Sequence, residues 1–185
     1  MKALNLVLIA AILLAACKKE ARVAPEPKPF ATATAAVAAM DKDTIPDKSG
    51  LKLKLYQDST ISDETFIIFN HVSSPDYVFN EDAPYLNGFG HVNIANISRD
   101  GTDLAISSLP YSTGMSIGLD IHTKSSGSFF LRISGLYKMP ADKQIWLKDN
   151  LQKDSIDLRL GNYGFKVDEA DINSFGKKRF VLIIK

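Results

Sequence analysis

Beyond residue 50 the chain consists of short runs in which apolar and polar side chains alternate, separated by Gly, Asn, Asp, Ser and Pro. Leu51, Leu53 and Leu55 alternate with lysines, which is typical of a strand with one buried face. Unbroken apolar runs at 66–69 and 180–184 predict a strand buried on both faces and a central closing strand. Further strands are predicted around 92–97, 104–106, 115–122, 129–133, 145–147, 156–160 and 165–167.

These runs indicate the fold class. Roughly nine to eleven short strands are predicted, with turn signals such as Asp100-Gly101 between them and no helix of about ten residues. Runs of strands without helices favour an all-β fold over an α/β fold. We therefore predict a two-sheet antiparallel β-sandwich, Ig-like or jelly-roll, over 51–185.

The amino terminus has a different pattern. Lys2 precedes an apolar stretch at 4–16 that ends in small residues directly before Cys17. This is typical of a secretory signal peptide, and the alternative of a transmembrane anchor needs roughly 20 apolar residues, more than this stretch has. The run Leu14-Ala15-Ala16-Cys17 resembles the lipobox of bacterial lipoproteins, which implies a lipid, such as palmitate, on Cys17.

Between the predicted lipid and the predicted domain the composition is that of a linker. Pro25, Pro27 and Pro29 alternate with charged residues, which favours an extended spacer. The alanine- and threonine-rich stretch 31–40 is too short for a stable isolated helix. The expected organisation is a signal peptide at 1–16, a lipidated cysteine and tether at 17–50, and one domain at 51–185.

Charge and cysteine content exclude several functions. The 185 residues include 22 Lys and Arg against 21 Asp and Glu, so the overall charge makes no electrostatic case for binding nucleic acid or an acidic polymer. Cys17 is the only cysteine. Once it is acylated, disulfides, thiolate metal ligands and cysteine nucleophiles are excluded.

Four segments of the predicted domain carry a resemblance: DETFIIF at 63–69, NEDAPYL at 80–86, ISRDGTDLAISSLP at 97–110 and NSFGKKRF at 173–180. They resemble a β-sandwich domain found ahead of type IX secretion sorting domains in large surface proteins of the Bacteroidota. The resemblance implies a non-catalytic accessory or adhesive role, without an enzyme activity or a cofactor. Lys18-Lys19-Glu20 partly resembles the tag that directs some lipoproteins of this phylum outward. We therefore expect a lipid-anchored protein of the outer membrane, on the cell surface rather than the periplasmic face.

Histidines and acids provide little evidence of a catalytic or metal site. His71, His91 and His122 show no metal-ligand spacing. Asp168, Glu169 and Asp171 share one segment and are weak calcium candidates. The alternative is that acids of this kind end strands by bonding to their own backbone.

Aromatic residues are better candidates for binding. If Ile145 and Leu147 face the core, Trp146 faces outward, and Phe129 and Phe130 cannot both face inward. Trp146, Tyr85 and Tyr137 are the candidate ligand-binding residues, unless a loop or the tether covers both faces of these strands. The expected function is a membrane-anchored, non-catalytic β-sandwich that acts as a cell-envelope binding or scaffolding module. The alternative is a carbohydrate-binding accessory lipoprotein.

Overall fold

The computed structural model describes residues 44–88 and 90–185, which form an all-β domain. Within these residues there is no α-helix, and one 3-10 turn spans Ile172–Ser174. The eleven strands are β1 (Ser49–Tyr56), β2 (Ser62–Phe69), β3 (Ala83–Pro84), β4 (Val92–Ile97), β5 (Asp103–Leu109), β6 (Met115–Thr123), β7 (Gly127–Tyr137), β8 (Ile145–Asp149), β9 (Asp154–Asp157), β10 (Tyr163–Val167) and β11 (Phe180–Ile184).

The strands form one continuous mixed sheet in the order β10-β7-β1-β2-β5-β4-β6-β11-β8-β9, with β3 attached to β5. The sheet curls until it is nearly barrel-shaped. Side chains at alternate positions point inward into a single core, as the period-two pattern predicts. Among the most buried are Leu53, Ile67, Leu119, Leu147 and Phe180, each 0% exposed.

The all-β prediction is therefore confirmed, but the two-sheet antiparallel arrangement is not. Hydrogen-bonded ladders run from β10 to β9 without a break into two sheets. β2 and β5 pair in parallel, with Phe66 opposite Ile106. Parallel neighbours need a long connection, and the segment 70–102 provides it by carrying the chain through β3 and β4 before β5 joins β2.

Within the described residues, the two end strands β9 and β10 do not pair with each other, and a buried ion pair lies where the ladder is missing. Arg179 donates from Nε and Nη2 to Asp149 Oδ2 at 3.1 and 2.9 Å, and neither side chain is exposed. Arg179 Nη1 also donates to the carbonyl of Lys166 in β10 at 2.7 Å. The Tyr163 hydroxyl, in β10, donates to Asp149 Oδ2 at 3.1 Å. These bonds link β10 to β8 and β11.

The environment of this ion pair changes the pKa of two of its members. Burial favours the neutral form of Asp149, but hydrogen bonds from Arg179 and from the backbone of Gln152 and Leu151 outweigh it. The pKa of Asp149 therefore lies below its ordinary value. Burial, together with the Asp149 charge, raises the pKa of Tyr163 to about 12.

Most predicted strands are present, with two differences. The run 66–69 lies in β2, but Phe66 and Ile68 face outward and are only partly buried, so the expected burial of both faces is wrong. The run 180–184 is β11, which lies between β6 and β8 and is central as predicted. The strand predicted at 156–160 ends at Asp157, because a turn follows in which Leu160 N–H donates to the Asp157 carbonyl. Leu160 is 85% exposed.

The ordered domain begins before residue 51. β1 starts at Ser49, Lys48 N–H donates to the Phe69 carbonyl at 2.8 Å, and Ile45 packs against the core. Residues 45–50 were expected to belong to the tether. The signal peptide at 1–16, Cys17 and the tether as far as residue 43 lie outside the described residues.

Candidate binding face

One outward surface of the sheet carries apolar side chains where polar ones are expected. Phe66 and Ile68 on β2, Ile106 on β5 and Tyr137 at the end of β7 lie on it together, and we call these four residues the Phe66 face. The strand registers bring them together: Phe66 is opposite Ile106, and Gly50 on β1 is opposite both Ile68 and Tyr137. They line an open groove of about 860 Å³.

Glycines determine the shape of this groove. A Cβ at Gly50 would lie 2.8 Å from the Ile67 carbonyl oxygen and 2.9 Å from the Phe66 ring, and one at Gly135 would lie 3.1 Å from the Tyr137 ring. The two aromatic rings can therefore lie against the sheet because β1 and β7 carry no side chain beneath them. Packing of aromatic rings over glycines is a known way of stabilising strands that contain glycine.

The Phe66 face has a polar rim. Lys48, Lys52, Glu64 and Asn70 surround the apolar floor, and the Lys52 ammonium lies 5.6 Å from the centre of the Phe66 ring. Tyr137 meets Phe66 edge-on, with ring centres 5.3 Å apart. Ile106 and Tyr137 remain 39% and 46% exposed. An apolar centre with aromatic side chains and a charged rim is the composition of protein–protein contact surfaces.

Of the three aromatic residues proposed from the sequence, only Tyr137 lies on this face. Within the described residues, Tyr85, Tyr137 and Trp146 make no ring contact with one another, and Tyr137 and Trp146 line different grooves. The three therefore do not form one stacking platform.

The Tyr85 hydroxyl takes part in hydrogen bonds that hold neighbouring segments together. Its hydroxyl donates to Asp63 Oδ2 at 2.7 Å and lies 2.9 Å from Asn93 Oδ1, and Asp63 Oδ2 also accepts from Ile94 N–H at 2.9 Å. Burial and the neighbouring Asp63 raise the pKa of Tyr85. These bonds fasten the segment before β4 to β2, so the hydroxyl is already occupied.

Trp146 faces outward from β8, as predicted from its neighbours Ile145 and Leu147, which are fully buried. Its ring is partly buried beside Ile183 of β11. The indole N–H donates to Gln144 Oε1 at 3.1 Å, and the Lys185 ammonium lies 5.3 Å from the ring centre. The expectation for the Phe pair is also confirmed, because Phe129 is buried and Phe130 is 38% exposed.

Two of the three calcium candidates, Asp168 and Asp171, accept hydrogen bonds from the backbone of their own segment. Asp168 Oδ1 accepts from Ala170 N–H at 3.0 Å, and Asp171 Oδ1 accepts from Asn173 N–H at 2.9 Å. Glu169 donates from its backbone N–H to Ser126 Oγ. In residues 44–88 and 90–185 no group of three His, Cys, Asp or Glu side chains is placed to hold a metal ion.

Within the described residues the histidines belong to no group that could hold a metal ion. His71 pairs with Asp47 at 2.5 Å, and His122 Nε2 pairs with Asp120 Oδ1 at 2.9 Å. Burial, with Asp103 nearby, raises the pKa of Asp120, although His122 opposes the shift. His91 is exposed.

Two important features were missed in the sequence. The first is the burial of Arg179. It ends the run Lys177-Lys178-Arg179, which is typical of a solvated turn. The only signal of its burial is the apolar strand that directly follows. The outward position of Phe66 and Ile106 was also missed, because an unbroken apolar run does not show which face is covered.

Comparisons with known proteins add no relative: no family model, curated protein or solved structure matches the chain. The part of the chain that the structure describes contains no helix long and apolar enough to cross a membrane.

Proposed function

We propose that this protein is a membrane-anchored, non-catalytic binding or scaffolding module of the cell envelope, which contacts a partner protein through the Phe66 face. The observation that carries the proposal is an apolar groove on the sheet that nothing covers within residues 44–88 and 90–185. Contiguous apolar surface of this kind marks interaction sites in soluble domains.

The anchor in this proposal is the lipid on Cys17. The support is the match of residues 14–17 to a lipobox, directly behind an apolar stretch that is too short to span a bilayer. More than one acyl chain, at about 0.8 kcal/mol per buried methylene, holds a protein on a membrane stably. The outer membrane and the cell surface are the proposed location, supported by the resemblance to Bacteroidota surface domains.

Site-specific crosslinking tests the binding face. A photoreactive phenylalanine analogue replaces Ile106 in one full-length variant and Leu160 in another, because Leu160 is also exposed but lies in the β9–β10 turn. Illumination of intact cells should give one stoichiometric protein adduct from position 106 and none from position 160. Ile68→Lys, introduced together with the position-106 probe, should abolish the adduct. Equal adducts from both positions, or no adduct from 106, would exclude the Phe66 face as the contact.

A second variant tests the anchor separately. Cys17→Ser removes the acylated thiol, and the protein should then move from the membrane fraction to the soluble fraction. Retention of Cys17→Ser in the detergent-extracted membrane fraction would show that lipid on Cys17 is not the anchor.

Carbohydrate binding by an accessory lipoprotein is the second candidate function. It is favoured by Trp146, whose ring faces outward in a groove of about 460 Å³ with polar and charged side chains around it. Tryptophan combines a large apolar surface with one polar edge, which suits contact with sugar rings.

A further inference from the structure

Trp146 lies at one end of an extended basic surface. The groove beside it, of about 460 Å³, shares Asn150 and Lys153 with a second groove of about 660 Å³ that continues past the end of β8 to Phe175. We call the two connected grooves the lysine trough. Its lysines are Lys148, Lys153, Lys177, Lys178 and Lys185.

The trough concentrates positive charge in a nearly neutral protein. Asp154 is the one acidic side chain that lines it within the described residues. Arg179 also lines the trough, but Asp149 neutralises it, and Lys177 pairs with Asp103 at 2.6 Å. Lys148, Lys153 and Lys178 have no acidic partner in the part of the chain that the structure describes. Unpaired charges of one sign along a cleft attract a ligand of the opposite charge.

The shape of the trough favours a chain-like ligand. From Trp146 to Asn150 it follows β8 for about 13 Å, at about 3.3 Å per strand residue, and then extends to Phe175 and His122. A single small anion would use only part of this length. The apolar ring of Trp146 lies in a concave groove. The exposed apolar side chains that line the trough, Ile172 and Leu151, belong to its other groove, so a membrane surface is a separate outcome of the test below.

We infer that the lysine trough binds an anionic polysaccharide, with a sugar ring packed on Trp146 and acidic groups paired with Lys148, Lys153 and Lys178. The inference rests on the second candidate function and specifies the charge of its ligand. The Lys185 ammonium, 5.3 Å from the Trp146 ring centre, is then adjacent to an acidic group of the packed sugar. The inference is independent of the Phe66 face, which lies on other strands.

Equilibrium binding by the full-length chain in detergent tests the inference, with polygalacturonate as the anionic probe and dextran of matched length as the neutral one. Polygalacturonate should bind with an affinity that falls as salt rises, because salt screens exposed charges, and dextran should not bind measurably. Trp146→Ala should weaken polygalacturonate binding about tenfold, and so should the double variant Lys153→Gln/Lys178→Gln. The matched control Lys54→Gln/Lys166→Gln removes two charges elsewhere and should leave binding unchanged.

Several outcomes would overturn the inference. Dextran binding that is lost in Trp146→Ala but unaffected in Lys153→Gln/Lys178→Gln would leave the second candidate function standing and exclude an anionic ligand. Absence of binding to either polymer would exclude both. Equal weakening by the control pair would show that overall charge, not the trough, attracts the polymer. Binding of the Cys17→Ser protein to phosphatidylglycerol vesicles without detergent, if it is lost in Lys153→Gln/Lys178→Gln, would assign the trough to a membrane surface instead.

Discussion

Two regions depart from the usual arrangement of a curled sheet in opposite ways: the gap where the end strands β9 and β10 do not pair, and the Phe66 face. At the gap, a charged pair is completely buried. On the Phe66 face, apolar side chains are left in water. The difference follows from the backbone: where the ladder stops, carbonyl groups of the end strands need donors, and arginine has five. Where the ladder is complete, the outward side chains are free to serve binding.

The comparison therefore separates the gap and the core, which stabilise the fold, from the outer Phe66 face, which we propose to contact a partner. Variants that break one of these assignments should leave the other intact. The expected effects are given below from the largest to the smallest, all for the full-length chain.

Deletion of residues 180–185 should have the largest effect. β11 lies between β6 and β8, so its loss removes two ladders and the buried Phe180, Leu182 and Ile184. Loss of core area and of ladder bonds together exceeds the usual stability of a domain. The cooperative transition in circular dichroism melting should disappear, and a retained cooperative melt would contradict the central role of this strand.

Arg179→Met should destabilise the fold by about 3–5 kcal/mol, because Asp149 is then left buried and unpaired. Urea unfolding measures the change. The double variant Arg179→Met/Asp149→Leu should recover most of the loss, since it removes both charges together. A double variant that is less stable than Arg179→Met would show that the hydrogen bonds to β10, rather than charge pairing, hold the gap closed.

Low pH should weaken the ion pair between Arg179 and Asp149 that lies at the gap. The folded-state pKa of Asp149 is lowered, so its stabilising contribution is present above the unfolded value of about 3.9 and is lost as pH falls through the folded-state pKa. The free energy of unfolding should therefore decrease below about pH 4. This decrease should be smaller in Arg179→Met/Asp149→Leu, and an identical decrease would assign it to other carboxylates.

Gly50→Ala should cost about 1–3 kcal/mol through overpacking, because its Cβ meets the Ile67 carbonyl oxygen and the Phe66 ring. Gly161→Ala is the matched control, since nothing lies within 4 Å of its Cβ and its φ is not positive. Thermal melting distinguishes the two. Equal stability of both variants would show that the Phe66 ring moves away without cost.

Ile106→Lys should have the smallest effect on stability, within about 0.5 kcal/mol, because its side chain is 39% exposed on the outer face. Val181→Lys is the matched comparison on a different surface. Val181 also faces outward, but from β11, which lies between β6 and β8. A loss of several kcal/mol in Ile106→Lys would mean that the Phe66 face holds the fold together and is not free for a partner.

The strands could be predicted from the sequence because alternation is a local property. Leu51, Leu53 and Leu55 show their buried face within five residues of chain, and β6 was placed on the same basis, whereas β11 was predicted from an unbroken apolar run. Local alternation cannot show how strands are ordered. The parallel pairing of β2 with β5 depends on the path of 70–102, so the expected antiparallel sandwich was not confirmed.

The candidate sites were less predictable for the same reason. The outward direction of Trp146 followed from Ile145 and Leu147, which are its immediate neighbours. The Phe66 face combines residues from β2, β5 and β7, and the lysine trough combines side chains from β8, β11 and their flanking turns. Such sets become neighbours only through strand register.

The sequence by itself determined the all-β class, the approximate position of most strands and the inward positions of the core, because each depends on side-chain alternation along a short stretch. The tertiary structure decided which apolar residues stay uncovered and which charges are buried. Phe66 and Arg179 show this best: the chain places an aromatic residue in an apolar run and an arginine in a charged turn, and only the tertiary structure leaves the first partly exposed on the outer face and buries the second.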